Sequence, residues 1–189
     1  MSPAKKGPGT TRAAEDFRRR LLSWYSAHKR DLPWRQTDDA YRIWVAEVML
    51  VQTQVDTVVP YYKRFIERFP NVRALAAANL DDVLKAWEGL GYYARARNLH
   101  RAARVVAEEH GGCLPGDAES LRALPGIGPY MTGALLAIVF DQQTLAVDGN
   151  VRRVLSRVYD IVEPTHAVVR EAGSRLVSER PRDVNEALM

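Results

Sequence analysis

The 189-residue sequence contains a single cysteine, Cys113. One thiol excludes an intrachain disulfide, and no four-cysteine metal site can be built from this chain alone. No apolar run is long enough to span a membrane. There is no internal repeat, no low-complexity block and no convincing strand pattern. The first twelve residues, MSPAKKGPGTTR, are small, polar and basic and lack the apolar run of a signal peptide. A flexible basic tail over 1–12 is expected, on a soluble, intracellular protein. Against these absences stand 47% hydrophobic and 26% charged residues, a globular balance, and length enough for one domain or two small ones with a real core. The net charge of +4 is a modest tilt towards a polyanionic partner.

What recurs is helical spacing. Phe17, Leu21, Trp24 and Tyr25 share one face, with Arg18, Arg19 and Arg20 opposite, so a helix ending near His28 is predicted. Leu32-Pro33-Trp34-Arg35 reads as a loop, since proline disfavours helix in the residue before it. Asp39 can cap a helix carrying Ile43, Trp44, Glu47, Val48 and Leu50. Val55 to Phe69 forms another apolar stripe, in which Pro60 allows a kink or a late start. Asn71 and Asp81 are read as caps of short helices over 72–78 and 82–88. A long basic helix is predicted over 92–108, with Arg95, Arg97, Arg101 and Arg104, ended by Gly111-Gly112. Asp148 or Asn150 can cap a helix of Val151, Val154, Leu155 and Val158. Thr165 can cap one over about 166–178, and a last short helix is expected near Asp183. The fold class is all-α.

Between two of these helices lies Leu124-Pro125-Gly126-Ile127-Gly128-Pro129-Tyr130-Met131-Thr132-Gly133-Ala134. Glycine reaches φ > 0 freely and lets another backbone come close, and Pro129 suits a first helical position. The segment reads as helix, tight hairpin, helix. Free N–H groups at the start of the second helix would form an anion site. An ordinary turn between two core helices is the other reading of a bare G-x-G.

Taken together, LPWR (32–35), AEVMLVQTQVDTVVPYY (46–62), FP-V-LA (69–76), WEGLGYYARARNLHRAA (87–103), LPGIGPYMTGA (124–134), VDGNVRRVLSR (147–157) and NEALM (185–189) resemble the helix-hairpin-helix DNA glycosylases of the endonuclease III superfamily. Within that superfamily they resemble the adenine DNA glycosylases, the MutY branch. The segments run in family order and cover nearly all of residues 20–189. The resemblance implies a helical catalytic domain over 13–189 with a cleft. Residues 33–136 would be a helical barrel holding the hairpin, and the N-terminal helix with 140–189 a second lobe.

The resemblance also assigns roles. Glu47 matches the glutamate that protonates the adenine and then helps activate water. By its sequence it is otherwise a solvent-facing glutamate of an amphipathic helix. Asp148 matches the aspartate that stabilises the positive charge developing on the deoxyribose, a role a fixed anion suits; a plain helix N-cap is its other reading. Asn150 matches a residue near the same site. Tyr130 stands where bifunctional relatives carry the lysine that attacks the sugar as a Schiff-base nucleophile, so base removal without strand cleavage is implied. Tyrosine there is also found in a related thymine glycosylase acting on G·T mismatches. Arg30, Trp34, Leu50 and Glu186 match residues around the flipped adenine, and Glu186 tilts the choice from thymine to adenine. Gln52 and Tyr92 match residues that push into the base stack. Gly126, Ile127 and Gly128 should hold a DNA phosphate by backbone N–H groups. Arg95, Arg97 and Arg101 either add phosphate contacts or form a solvated face.

The implied partner is double-stranded DNA with adenine opposite 8-oxoguanine or guanine, met by a monomer of the bacterial cytoplasm and nucleoid, with no membrane contact. A monovalent cation is implied at the hairpin. The family continues past NEALM into four cysteines that bind a 4Fe-4S iron-sulfur cluster, then into a domain that recognises 8-oxoguanine. This sequence ends at Met189, so a chain truncated before the cluster cysteines is expected, with no metal ligands of its own. Position 51 is valine where the family usually has glutamine. A thymine glycosylase and a catalytically silent DNA-binding module are the alternative readings.

Overall fold

The structure is a computed structural model that describes residues 11–189. Most of the expected tail, residues 1–10, lies outside the described residues, and Thr11 and Arg12 already belong to the first helix, α1 (Thr11–His28). The fold is all-α, with no strand among the described residues. Contacts divide the described residues into two compact units, one of residues 31–135 and one made of residues 11–30 with 136–189.

The 31–135 unit is built around α2 (Ala40–Leu50). Asp39 caps it, its carboxylate accepting from Arg42 N–H at 3.0 Å. Tyr41 through Met49, Arg42 excepted, are all buried. A helix apolar nearly all round belongs inside a core. α3 (Val55–Arg68) packs on it with Val58, Tyr62, Phe65 and Ile66 inward. It runs through Pro60 and begins at Val55, so the late start does not occur. Phe65 meets Trp87 edge to face at 5.7 Å, and a 3-10 turn at Pro33–Arg35 sets Trp34 edge-on to Tyr62 at 5.2 Å.

Asn71 caps α4 (Val72–Ala77) as expected. The cap position of α5 (Leu80–Trp87) is Asn79, not Asp81. Asn79 is still extended while Leu80 is helical, which leaves Asp81 and Asp82 in the first turn, where the helix dipole favours negative charge. α6 (Ala94–Glu109) starts two residues later than the pattern suggested, because Tyr92 is left-handed at φ 51°. α7 (Ala118–Ala123) and α8 (Pro129–Ile138) flank the hairpin.

In the other unit α1 packs on α11 (Pro181–Leu188), and α9 (Gly149–Val158) on α10 (His166–Gly173). Ala14, Leu145, Val147, Val151, Leu155, Val169, Leu176, Val184 and Leu188 form the core. Thr165 caps α10, but the α-helix ends at Gly173 and tightens into a 3-10 turn over Ser174–Ser178, rather than continuing to 178. Ser174 and Ser178, at the two ends of this turn, each donate a hydroxyl to the carbonyl three residues back, local bonds that compete with a regular helix. α11 opens at Pro181, two residues before Asp183, since the fixed φ of proline suits the first helical position.

Candidate active site

Glu47 lies in the penultimate turn of α2, between Ala46 and Val48, and is only 7% exposed. The solvent-facing reading is therefore overturned. Tyr130, the second residue of α8, donates its phenol O–H to Glu47 Oε2 at 3.1 Å. A buried carboxylate is retained only where hydrogen bonds replace lost water, and a partner 83 residues away supplies one. The pair is a carboxyl that can hold or pass a proton beside a phenol that cannot act as an amine nucleophile.

The hairpin is fastened to the same unit. Ile127 N–H donates to Leu124 O and Ile127 is only 6% exposed, so the phosphate contact expected of that N–H is corrected: the turn itself uses it. Gly126 has φ +82°, and a Cβ there would stand 2.7 Å from Asn98 Cβ of α6. Gly128 has open space within 4 Å of where a Cβ would be. Thr132 donates both its N–H and its hydroxyl to Gly128 O, pinning the start of α8. One glycine is thus required by the fold, and the other leaves a surface open to approach.

Trp34 is buried against Tyr62, Leu50 is half-buried at the end of α2, and Gln52 and Tyr92 are exposed. Gln52 and Tyr92 share an unusual backbone, left-handed φ of 59° and 51° without being glycine. Arg30, Asp148, Asn150 and Glu186 belong to the other unit, where Arg30 is exposed.

In that unit Asp148 is the N-cap of α9, accepting Val151 N–H at 2.7 Å through Oδ1. Its Oδ2 accepts from Asn150 Nδ2 at 3.3 Å, and Asn150 Nδ2 also reaches Met189 O at 3.3 Å. The N-cap reading of Asp148 therefore holds. A pocket of about 200 Å³ opens beside it, lined by Val147, Asp148, Gly149, Arg152 and His166. Glu186 accepts from Tyr25 O–H and from Arg182 Nε, the latter at 3.2 Å.

One residue, Arg95, corrects its expected role, and another, Asn185, is not singled out in the sequence. Arg95 is not on a solvated or phosphate-facing surface; it turns inward to six acceptors around the end of α2. Burial lowers its guanidinium from the usual arginine value. Its position was a signal, since 95, 99, 102 and 106 fall on one helical stripe and the last three are buried. Arg101 is exposed and bonds Asn98. Asn185, fully buried beside Glu186, donates to Thr144 O and Pro181 O and accepts from Ala146 N–H, fixing the segment that leads into Asp148.

A 4Fe-4S cluster takes four thiolates, whereas this chain has Cys113 alone, and that side chain is exposed. Among the described residues no group of three or more His, Cys, Asp or Glu side chains could hold a metal. The residues present do not fit the cluster. Among the described residues, no helix is long and apolar enough to cross a membrane.

Comparison with known proteins fits this geometry. The rat adenine DNA glycosylase (Rattus norvegicus) is 49% identical over 188 residues, which span 92% of this chain but 36% of that protein. The chain therefore covers about a third of the length of that curated relative. A thermostable thymine-DNA glycosylase superposes with a TM-score of 0.85 at 28% identity, covering 94% of this chain and 84% of that one. A trapped endonuclease III–DNA covalent intermediate has the same fold, with a TM-score of 0.80 at 18% identity over 95% of this chain and 84% of that one. Residues 45–179, most of the chain and all of it from Glu47 through Asn150, match the family model of the HhH-GPD superfamily base excision DNA repair protein, and the chain belongs to that superfamily.

Proposed function

We propose that this chain is the catalytic part of a monofunctional DNA glycosylase that hydrolyses the N-glycosidic bond of adenine mispaired with 8-oxoguanine or guanine. The observation that carries the reading is the Tyr130–Glu47 hydrogen bond. It sets a buried carboxyl beside the position where strand-cleaving relatives carry a lysine. Glu47 gives a proton to the adenine ring as the bond from C1′ breaks, so the base departs neutral with the bonding electron pair. The deoxyribose is left with oxocarbenium character, and the Asp148 carboxylate stabilises that charge. Water then adds to C1′ and returns a proton to the Glu47 carboxylate, leaving an abasic site. Asn150 orients Asp148 through its amide. Gln52 and Tyr92 enter the stack, and the exposed Gly126 and Gly128 backbone meets a phosphate. Main-chain oxygens at the hairpin are hard and neutral, the donor type suited to the monovalent cation the family implies.

Single-turnover release from A·8-oxoguanine, A·G and G·T duplexes tests this. Adenine is expected to be released, with strand cleavage only after alkali. Glu47→Gln should lower the rate at least about 100-fold while duplex binding stays within about twofold. Near-parental release by that variant would overturn the assignment. The likeness to the thymine-DNA glycosylase supports a second reading, and thymine released from G·T in place of adenine would select it.

A further inference from the structure

Gln52 and Tyr92 sit in different loops, one after α2 and one before α6, and both hold left-handed backbone that a side chain with a Cβ adopts only under constraint. The constraint common to both is Arg95. One guanidinium nitrogen donates to Val48 O at 3.1 Å, Met49 O at 2.7 Å and Val51 O. These are carbonyls at and just beyond the end of α2, which the helix itself leaves unsatisfied and which carry its negative dipole end. The other nitrogen donates to Thr53 Oγ1 at 3.0 Å, Leu90 O at 3.4 Å and Gly91 O at 3.2 Å. The acceptors bracket Gln52 on both sides and lead directly into Tyr92. The Tyr92 ring lies 5.3 Å from the guanidinium carbon, and the Trp87 ring 5.6 Å from it. Trp87 Nε1 donates to Gly91 O as well, at 3.1 Å.

We infer that Arg95 is a positioning residue that couples the two loops and presents Gln52 and Tyr92 as one preset pair for entry into the base stack. The coupling rests on these contacts alone; its use in unstacking DNA rests on the function proposed above. Arginine suits the task because its planar fork aims several donors in two directions at fixed geometry, which the single ammonium of lysine cannot copy. An ordered pair meets DNA without first having to be ordered, so less of the interaction is lost to conformational entropy on binding.

The test uses Arg95→Lys and Arg95→Met in the full chain. Amide hydrogen exchange without DNA reads the loops, and 2-aminopurine placed beside an A·8-oxoguanine mismatch reads unstacking on binding. Both variants should speed exchange over 50–54 and 89–93 together, tenfold or more, while 41–47 and 99–106 keep their protection. The fluorescence rise should drop several-fold, with lysine between methionine and the parent. Loosening of one loop only, of neither, or of the helices along with the loops even in Arg95→Lys would overturn the inference. If the parent chain itself neither unstacks nor releases a base, the DNA reading falls and takes the stack-opening use with it. The exchange result still decides the coupling.

Discussion

Alanine at Gly126 should damage the fold, and alanine at Gly128, two residues on, should damage DNA binding instead. At Gly126 two costs add. Left-handed backbone costs an L-residue about 1–2 kcal/mol, and φ here is +82°. The new Cβ also meets Asn98 Cβ at 2.7 Å and Nδ2 at 3.0 Å, overpacking of a kind that costs about 1–3 kcal/mol. Turning Asn98 relieves only the Nδ2 contact, since its Cβ is fixed by the backbone, so a loss of about 2–4 kcal/mol is expected. At about 2–4 °C per kcal/mol for a chain of this size, the melting midpoint should fall by roughly 5–15 °C. Gly128 has no positive φ and open space around its would-be Cβ, so stability should change by less than about 0.5 kcal/mol. The same methyl stands where the proposed phosphate would approach the backbone. Loss of one charge-assisted contact of about 1–2 kcal/mol should weaken duplex binding roughly tenfold. Thermal melts by circular dichroism and anisotropy titrations of a labelled duplex at fixed salt read the two effects separately. A Gly126→Ala chain that melts with the parent refutes the steric argument. A Gly128→Ala chain that binds as the parent does refutes the phosphate assignment.

Asp148→Asn separates the cap of α9 from the charge. Asparagine caps a helix as well as aspartate does, so the melt should stay within a few degrees, while single-turnover release should fall about 100-fold or more; a fall in both together would make Asp148 a structural cap. Alkaline pH offers a test of the α2–α3 core. Burial holds the Tyr62 phenol up at about 12 and pushes Tyr41 higher still, from a usual 10. The native chain keeps protons there that the unfolded chain gives up, so stability is complete below pH 10 and declines as pH rises towards 12. Denaturant midpoints taken from pH 8 to 12 should show that decline, and Tyr62→Phe should make it shallower; an unchanged slope would mean that Tyr62 ionises as freely folded as unfolded.

What the sequence made readable was whatever its own neighbourhood decides. Asp39, Asn71, Asp148 and Thr165 cap the helices expected of them because a cap bonds an N–H three residues on. Asn79 and Asp81 show the limit of that rule. Two capable residues stood two apart, and the helix began after the first. Glu47 shows a second limit, for α2 is buried nearly all round and offers no polar face by which to orient a glutamate. A hydroxyl 83 residues later is what reveals its surroundings.

The true roles of Arg95, expected at a phosphate or in solvent, and of Asn185, not singled out, were illegible for one shared reason. In an all-helical chain only the interior backbone of each helix is satisfied internally; helix ends and the loops that carry Gln52, Tyr92 and Asp148 have no sheet to bond to. Their carbonyls and N–H groups must borrow partners from side chains. Arg95 serves the carbonyls around Gln52 and before Tyr92, and Asn185 serves Thr144 and Ala146 on the way to Asp148. Each is a strong hydrogen-bonding residue set on the buried face of its own helix, Arg95 in line with Leu99 and Asn185 beside Val184 and Leu188. A polar residue in that phase is costly unless it is satisfied, and the groups most in need of it are the unpaired backbone atoms of nearby loops. Polar residues that fall on an apolar helical stripe beside a motif-bearing loop are therefore best read as the holders of that loop.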